Sequence, residues 1–275
     1  MRKINYPLII SDFDGTLVKE DGTISDKNKQ AIMQYTSDGG IFVISTGRLH
    51  YGILPRVKEL GLKGVVSCGQ GALIVDVETG KPLFSGKFTN EQTVEMCKQM
   101  EALGLHIHLY DFDTFYVNMD DDALKLYEMK VHMKGTLVTD MPLSEFAKEH
   151  GLCAYKLLAM VYPKDNARVL SSLRSTCVEG TFVTKSAEYL VEVTNESYSK
   201  GTAVKFLSEY YDIPIEKVIG IGDQWNDLPM IQAAGLGIAV QNADEQLKAH
   251  AVTSPYTNEE DAIANIIQEY GYLED

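Results

Sequence analysis

Short apolar runs alternate with helical patterns in the first part of the chain. The runs LIIS (8–11), IFVIS (41–45) and GVVSC (64–68) are rich in Ile and Val and have the length of strands. Between them, residues 26–38 and 53–60 carry apolar positions at helical spacing, and each segment is followed by glycine, at Gly39 and Gly61. The order βαβαβ predicts a parallel sheet covered by helices on both faces.

A different pattern begins near Phe84. LHIHLYD (105–111) and TFYVN (114–118) read as a hairpin of alternating strands, and helices near 121–131 and 164–176 are mixed with strands at 155–161 and 180–185. Hairpins mixed with helices are typical of an α+β domain. After YLVEV (189–193), the first pattern returns, with helices at 200–211, 225–234 and 259–270 and strands at 217–223 and 236–240.

The chain is therefore predicted to have an α/β fold made of two parts. A doubly wound, Rossmann-like core is formed by residues 1–83 and 188–275, and residues 84–187 form an inserted α+β cap domain. A length of 275 residues is sufficient for two such domains.

Composition and charge exclude several classes of partner. The net charge of −14 and the pI near 4.9 argue against nucleic acid and anionic membrane surfaces. The N-terminal apolar stretch is interrupted at Asp12, and no segment approaches the length of a membrane span. Four separated cysteines without a C-x-x-C pair indicate reduced core thiols, so a cytoplasmic protein is expected. The sequence leaves the oligomeric state open.

Polar side chains follow three of the predicted core strands. In open parallel sheets ligands bind at the carboxyl ends of the strands, so Asp12, Asp14, Thr46, Asp223 and Asp227 are expected to converge. Four carboxylates in one crevice repel one another unless a hard divalent cation binds among them, and oxygen ligands favour Mg²⁺. Asp14-Gly15 is then better explained as a sharp turn at this site than as a hairpin turn, whereas Asp21-Gly22 keeps the hairpin interpretation.

Four short motifs resemble those of the haloacid-dehalogenase superfamily. They are DFDGT (12–16), STGR (45–48), SKG (199–201) and GDQWND (222–227), in the order in which that superfamily carries them. The insert between the second and third motifs resembles the cap of Cof-type sugar-phosphate phosphatases. The resemblance implies a Mg²⁺-dependent hydrolase of small phosphorylated molecules that works through an aspartyl-phosphate.

The resemblance also implies roles for individual residues. Asp12 corresponds to the nucleophile, and Asp14 to a general acid and base whose backbone carbonyl also binds the metal. Lys200 corresponds to the lysine that bridges the nucleophile and the phosphate. Asp223 corresponds to a metal ligand, and Asp227 to a further ligand or to an acid that supports the ligands.

The remaining motif positions are expected to hold the substrate. Thr46, with backbone amides at the start of the following helix, is expected to bind phosphoryl oxygens, and Gly47 and Arg48 complete the second motif. Asn226 is expected to orient its loop or the phosphate. Gln70 departs from the Asn that members of the family often carry after the third strand, which leaves its contact with substrate open.

Alternatives remain for the activity and for a histidine pair. The same aspartyl-phosphate would serve a phosphomutase-like transferase, and a receiver-type signalling domain also phosphorylates an Asp near a Thr and a Lys. His106 and His108 alternate along a cap strand without a third ligand at an obvious spacing, so a solvated strand is favoured over a metal site.

Overall fold

A computed structural model describes residues 2–131, 133–176, 178–187 and 189–273. The strands in these residues are β1 (Leu8–Ser11), β2 (Ile41–Ile44), β3 (Val65–Cys68), β4 (Leu73–Asp76), β5 (Pro82–Ser85), β6 (His106–Tyr110), β7 (Phe115–Val117), β8 (Thr136–Leu137), β9 (Lys156–Met160), β10 (Thr181–Ala187), β11 (Leu190–Asn195), β12 (Val218–Gly222), β13 (Leu236–Ala239) and β14 (Val252–Thr253).

The helices lie between these strands, as the apolar spacing predicts for most of them. They are α1 (Asp26–Ser37), α2 (His50–Glu59), α3 (Asn90–Ala102), α4 (Asp122–Val131), α5 (Leu143–Glu149), α6 (Asn166–Ser175), α7 (Lys200–Tyr210), α8 (Leu228–Ala233), α9 (Glu245–Lys248) and α10 (Ala262–Tyr270). No helix in the described part of the chain is long and apolar enough to cross a membrane.

The chain divides into two compact units. One comprises residues 1–84 and 198–275, and the other comprises residues 85–197. The second boundary lies ten residues beyond the expected position at 187/188, because β11 belongs to the sheet of the inserted unit. β11 pairs antiparallel with β9 and β10, so the apolar run at 189–193 is a cap strand and not the return of the core.

The core unit is built on a parallel sheet with the order β14-β13-β12-β1-β2. β1 lies between β2 and β12, in register Leu8 with Ile41 and with Val218, and all four of its residues are buried. The chain therefore leaves β1 toward one side of the sheet and returns on the other. Such a reversal of strand order opens a crevice at the carboxyl ends of the two central strands.

The third predicted parallel strand is a correction to the sequence interpretation. β3 pairs antiparallel with β4 in a separate sheet of order β3-β4-β5, and a single parallel bridge between Ser45 and Ser67 links it to the end of β2. An apolar run such as VVSC satisfies either pairing, because periodicity reports burial and not strand direction. The strand β4, which pairs with it, is not among the predicted elements, although it lies in an apolar run after Gly71.

The inserted unit contains a six-stranded sheet with the order β10-β11-β9-β6-β7-β8. Its pairs are antiparallel except β7 with β8. Alternate residues of the central strands, including Ile107, Leu157 and Val191, pack with α3, α5 and α6 in one apolar core. The insert is therefore an α+β domain with one face of its sheet covered by helices.

The other alternate residues of these strands form a buried polar layer. His106 is 6% exposed and His108 is fully buried, so the expectation of a solvated strand is wrong at these positions. The ring of His108 stacks on Phe115, and its packing explains the burial. Lys156 and Glu192 form a buried ion pair with 3.0 Å between Nζ and Oε1.

The cysteines follow the expected pattern only in part. Cys68 and Cys97 are free thiols buried in the interior, and Cys153 is a free thiol that is half-buried. Cys177 lies outside the described residues.

Candidate active site

Asp12 and Asp223 are placed side by side by the two central strands of the core sheet. Ser11 of β1 is in register with Ile221 of β12, and the amide of Asp12 donates to the carbonyl of Ile221 at 2.8 Å. Each aspartate follows its strand by one residue, and both side chains are buried. The pairing of β1 with β12 therefore brings together two acids that are 211 positions apart (223 − 12).

Lys200 reaches this pair from the first turn of α7. Ser199 caps the helix by accepting from the amide of Thr202, and this cap fixes where the helix begins. The ammonium of Lys200 lies 2.6 Å from Asp12 Oδ1 and 2.5 Å from Asp227 Oδ1, and the side chain is fully buried. One cation is thus shared by two carboxylates.

Asp227 also closes the loop after β12. Its Oδ2 accepts from the amides of Asp223 at 2.9 Å and Gln224 at 3.0 Å. A Cβ on Gly222 would lie 2.4 Å from the Asp227 side chain, so the close approach of this loop requires glycine. Both oxygens of Asp227 therefore bind other groups of the protein. Asp227 holds the Lys200 side chain and the loop after β12 in position.

The cluster carries more negative charge than its lysine compensates. Burial raises the pKa of Asp12 well above its usual range, although the charge of Lys200 opposes this shift. The charges of Asp227 and Asp223 raise the pKa of Asp12 further. Burial and the charge of Asp227 raise the pKa of Asp223 to about 6, against the hydrogen bonds from Thr16 and Gln224. Burial lowers the pKa of Lys200, but the carboxylates of Asp12 and Asp227 outweigh it and the net shift is upward.

This donor set fits a hard divalent cation. Oxygens of Asp12, Asp223 and Asp227 lie within 4.8 Å of one another, and all three residues are buried. Three carboxylates facing one ammonium leave an excess of negative charge, and carboxylate oxygens are the ligands that Mg²⁺ and Ca²⁺ bind. A bound cation would offset the repulsion that the raised pKa values report.

Asp14 is not brought into this cluster by its carboxylate. Both of its oxygens are bound by Arg48, at 2.8 Å from Nε to Oδ2 and at 2.7 Å from Nη2 to Oδ1, and the side chain is half exposed. Its neighbour Gly15 has φ +81°, and a Cβ there would lie 2.5 Å from Asp223 Oδ2. The turn at Asp14-Gly15 is thus a close approach to a site carboxylate, and a separate turn closes between Lys19 and Thr23 around Asp21-Gly22.

Thr46 lies at the carboxyl end of β2 but not at a helix N-terminus. α2 begins at His50, four residues later, and the hydroxyl of Thr46 accepts from the amide of Arg48 at 3.1 Å. Thr46 is buried, and its own amide donates to the carbonyl of Ser67 at 2.9 Å.

Gln70 joins the second and fourth motif loops. Its Oε1 accepts from Asn226 Nδ2 at 3.1 Å, and a Cβ on Gly47 would lie 2.6 Å from its Nε2. The longer amide in place of the family's Asn therefore lies between Gly47 and Asn226. Gln70 adopts φ +61°, a left-handed conformation that is uncommon for residues other than glycine and, among those residues, is enriched in Asn, Asp and His.

Three further residues support the site and were not predicted. Thr16 donates to Asp223 Oδ1 at 2.7 Å, Gln224 donates to Asp223 Oδ2 at 3.1 Å, and Asn242 donates to the carbonyl of Gly15 at 2.8 Å. Thr16 and Gln224 lie inside the motifs DFDGT and GDQWND, and this position is the sequence feature that could have indicated a role in the site. Asn242 has no such signal because it lies beyond β13 in a loop without motif residues.

Comparison with known proteins agrees with this geometry. Residues 9–267 match the family described as haloacid dehalogenase-like hydrolases. The chain belongs to this family. The resemblance of its four motifs and the prediction of an α/β core with a cap are confirmed by the match and by the folds of solved haloacid dehalogenase-like hydrolases. A phosphatase of Bacillus subtilis is 26% identical over 282 residues, which cover 95% of this chain and 98% of the relative.

Two solved haloacid dehalogenase-like hydrolases share the fold over nearly their whole length. The one from Bacteroides thetaiotaomicron has a TM-score of 0.84 and 28% identity, and covers 96% of this chain and 98% of its own. The one from B. subtilis has a TM-score of 0.85 and 25% identity, and covers 96% of this chain and 99% of its own.

Proposed function

We propose that this haloacid dehalogenase-like hydrolase cleaves small phosphomonoesters in the presence of Mg²⁺, with Asp12 as the nucleophile. The observation that carries the proposal is the buried contact of Asp12 with Lys200 beside Asp223, at the crevice where the strand order of the sheet reverses. The B. subtilis relative is named a phosphatase, which supports the same class of reaction.

Asp12 is the group that attacks phosphorus. Lys200 binds its Oδ1, which fixes the carboxylate in the site. A bond forms between a carboxylate oxygen of Asp12 and phosphorus while the bond between phosphorus and the ester oxygen breaks. The ammonium of Lys200 stabilises the charge that develops on the phosphoryl oxygens.

A divalent cation would be held by carboxylate oxygens of Asp12 and Asp223, with the backbone carbonyl of Asp14 as a further oxygen ligand. When bound, it would neutralise the negative charge that the phosphate brings to this acidic site. Asp227, whose two oxygens are engaged by Lys200 and by backbone amides, positions the lysine and the loop that carries Asp223.

Asp14 supplies the proton that the leaving oxygen needs. It then takes a proton from the water that attacks the aspartyl-phosphate, so the second step restores the carboxylate of Asp12, returns Asp14 to its protonated form and releases inorganic phosphate. For this work Asp14 has to leave Arg48, which binds its ionised carboxylate, and contact the ester oxygen as the protonated acid. Arg48 thus holds the acid in place between turnovers.

The second motif and Asn226 form the remaining wall of the phosphoryl site. Thr46 is buried at the end of β2, and its hydroxyl proton is available to a phosphoryl oxygen because the hydroxyl oxygen accepts from Arg48. Gln70 orients Asn226 through a hydrogen bond. Gly47 has no side chain, and this leaves room for the Gln70 amide.

Replacement of the nucleophile tests the proposal. Asp12→Asn is expected to abolish Mg²⁺-dependent release of phosphate from phenyl phosphate, whereas the matched change Asp21→Asn on an exposed turn is expected to leave the rate unchanged. Free phosphate produced without an added acceptor supports hydrolysis. Loss of phenyl phosphate that requires an added sugar and yields a sugar phosphate supports a transferase. Undiminished turnover by Asp12→Asn would refute the nucleophile assignment.

A further inference from the structure

A pocket of about 710 Å³ lies within the inserted unit, formed by residues from α4, α6 and the ends of β6 and β9. Its volume is in the range of sites for small organic molecules. Every residue that lines it falls between positions 85 and 197, so the pocket belongs to this unit alone and contains none of the proposed catalytic residues.

The walls of the pocket are mainly apolar and aromatic. Tyr127, Tyr162 and Tyr189 line it together with Met119, Met160 and Leu126. Tyr162 is 75% exposed and Leu126 is 64% exposed. Large side chains left in water beside a concave surface indicate a place where a ligand would remove apolar area from water.

The charges that line the pocket favour a cation. Two carboxylates, Asp121 and Asp165, and one guanidinium, Arg168, are the acidic and strongly basic groups among its described lining residues. Asp165 lies 3.4 Å from Arg168, so these two charges compensate each other. The charge of Asp121 is left facing the pocket with the ring of His106 as its side-chain partner, at 2.9 Å from Nδ1 to Oδ2.

Asp121 is anchored as a negative charge. Its Oδ1 accepts from the amide of Leu124 at 2.8 Å, which caps the first turn of α4. Partial burial raises the pKa of Asp121. The hydrogen bond from the amide of Leu124 and the interaction with the ring of His106 lower this pKa by more, so the net shift is downward. A carboxylate held in this way is preorganised to accept a hydrogen bond from an ammonium group.

We propose that this pocket, formed between α4 and α6, binds a small organic cation with a planar apolar body. The ammonium contacts Asp121, and the planar part packs on the tyrosines and methionines. The tyrosine rings also attract a cation through their faces. None of the described residues that line the pocket belongs to the proposed phosphoryl site, so nothing in the pocket requires a phosphate on its occupant.

The polar wall of the pocket continues into the buried layer of the sheet. His106 Nε2 lies 3.1 Å from His108 Nε2, and His108 Nδ1 lies 3.5 Å from the hydroxyl of Tyr110. A ligand that hydrogen-bonds to Asp121 changes the partner of the His106 ring and therefore the proton arrangement along this chain. The imidazole NMR signals of His106 and His108 should consequently report occupancy.

The test compares three probes of similar shape and different charge on the full chain. 2-Phenylethylammonium is expected to bind at least about tenfold more tightly than 2-phenylethanol, because a hydrogen bond to a charged group is worth more than a neutral one. Phenylacetate is expected not to bind. Equal affinity for the three probes, or no binding of the ammonium up to millimolar concentration by calorimetry, overturns the proposal.

Two matched pairs of variants locate the site. Asp121→Asn keeps the helix cap and is expected to remove the preference for the cation, whereas Asp122→Asn, at a neighbouring exposed carboxylate, is expected to preserve it. Leu126→Arg introduces a cation at the pocket wall and is expected to abolish binding, and Met129→Arg, equally exposed on the same helix outside this pocket, serves as its control. If both members of either pair behave alike, the ammonium binds elsewhere and the assignment of this pocket is wrong.

Discussion

Arg48 binds both carboxylate oxygens of Asp14 through one planar guanidinium, at 2.8 Å and 2.7 Å. A bidentate pair of this kind fixes direction as well as distance, which a lysine cannot reproduce. Because the proposed mechanism makes Asp14 the proton donor and acceptor, Arg48 is a positioning residue for the acid.

The two residues should therefore act as one unit in kinetics. Asp14→Asn is expected to lower kcat for phenyl phosphate by roughly a hundredfold or more, the usual scale for a positioned acid and base. Arg48→Lys is expected to lower kcat by about tenfold in the native background and to have little further effect beside Asp14→Asn, because coupled residues are not additive. If the fold-loss of kcat in the double variant equals the product of the two single fold-losses, Arg48 acts independently of Asp14.

Gly15 and Gly22 provide a matched pair for the close approach at Asp223. Both have φ +81°, but a Cβ on Gly15 would lie 2.5 Å from Asp223 Oδ2, and a Cβ on Gly22 would meet nothing within 4 Å. Gly22→Ala is expected to cost about 1 kcal/mol of unfolding free energy from backbone strain. Gly15→Ala is expected to cost more and also to weaken Mg²⁺ binding, measured by chemical denaturation with and without the metal; equal losses in both variants would contradict the contact.

Lys200 is the counter-charge of two buried carboxylates, so its removal should destabilise the fold. Lys200→Met is expected to lower the free energy of unfolding by about 3–5 kcal/mol at pH 7.5, because Asp12 and Asp227 are left without a cation. The loss should be smaller at pH 5, where protonation relieves the repulsion. Lys200→Arg keeps the charge and is the control, and a loss independent of pH would point to packing rather than charge.

The raised pKa of Asp223 sets a sign for the pH dependence of stability. With a pKa of about 6 in the folded state and an ordinary value of 3.8, Asp223 binds its proton more tightly when folded. Its contribution is therefore present below about pH 4 and is lost as the pH rises through about 6, a change of about 2–3 kcal/mol in the metal-free protein. Denaturation curves of Asp223→Asn should lack this slope.

Metal binding should oppose that loss. A cation competes with the proton for the same oxygens, so Mg²⁺ is expected to raise the melting temperature more at pH 7.5 than at pH 5. The difference between the two pH values should disappear in Asp223→Asn. A stabilisation by Mg²⁺ that is as large at pH 5 as at pH 7.5 would contradict the placement of the metal at this carboxylate.

Much of the fold could be predicted because strand and helix periods are local. The apolar runs at 8–11 and 218–222 predict buried strands from their composition, and the acids that follow them predict a shared edge once the sheet is taken as parallel. The direction of β3 could not be predicted, because VVSC is equally apolar in either pairing. The cap boundary failed for the same reason, since the run in β11 carries no mark of the sheet it joins.

Side-chain partners in the site were less accessible to sequence reasoning. The motifs named Asp12, Lys200 and Asp223, but nothing in a linear pattern indicates that Arg48 would bind Asp14. That contact depends on where the loop after β2 turns relative to the loop after β1, which is a property of the assembled sheet. Gln70 is a similar case, because its place beside Asn226 follows from a left-handed residue in a tight turn.

The pairing of β1 with β12 also has a consequence for biosynthesis. While the chain is still on the ribosome, β1 can pair with β2. The other edge of β1 stays unpaired, and Asp12 lacks its neighbour strand, until residues 218–222 have emerged. At typical translation rates this interval is on the order of ten seconds or more. During that time the whole inserted unit is made and can fold, so the nascent segment that carries β1 and β2 stays open to chaperones until residues 218–222, in the last quarter of the 275 positions, have emerged.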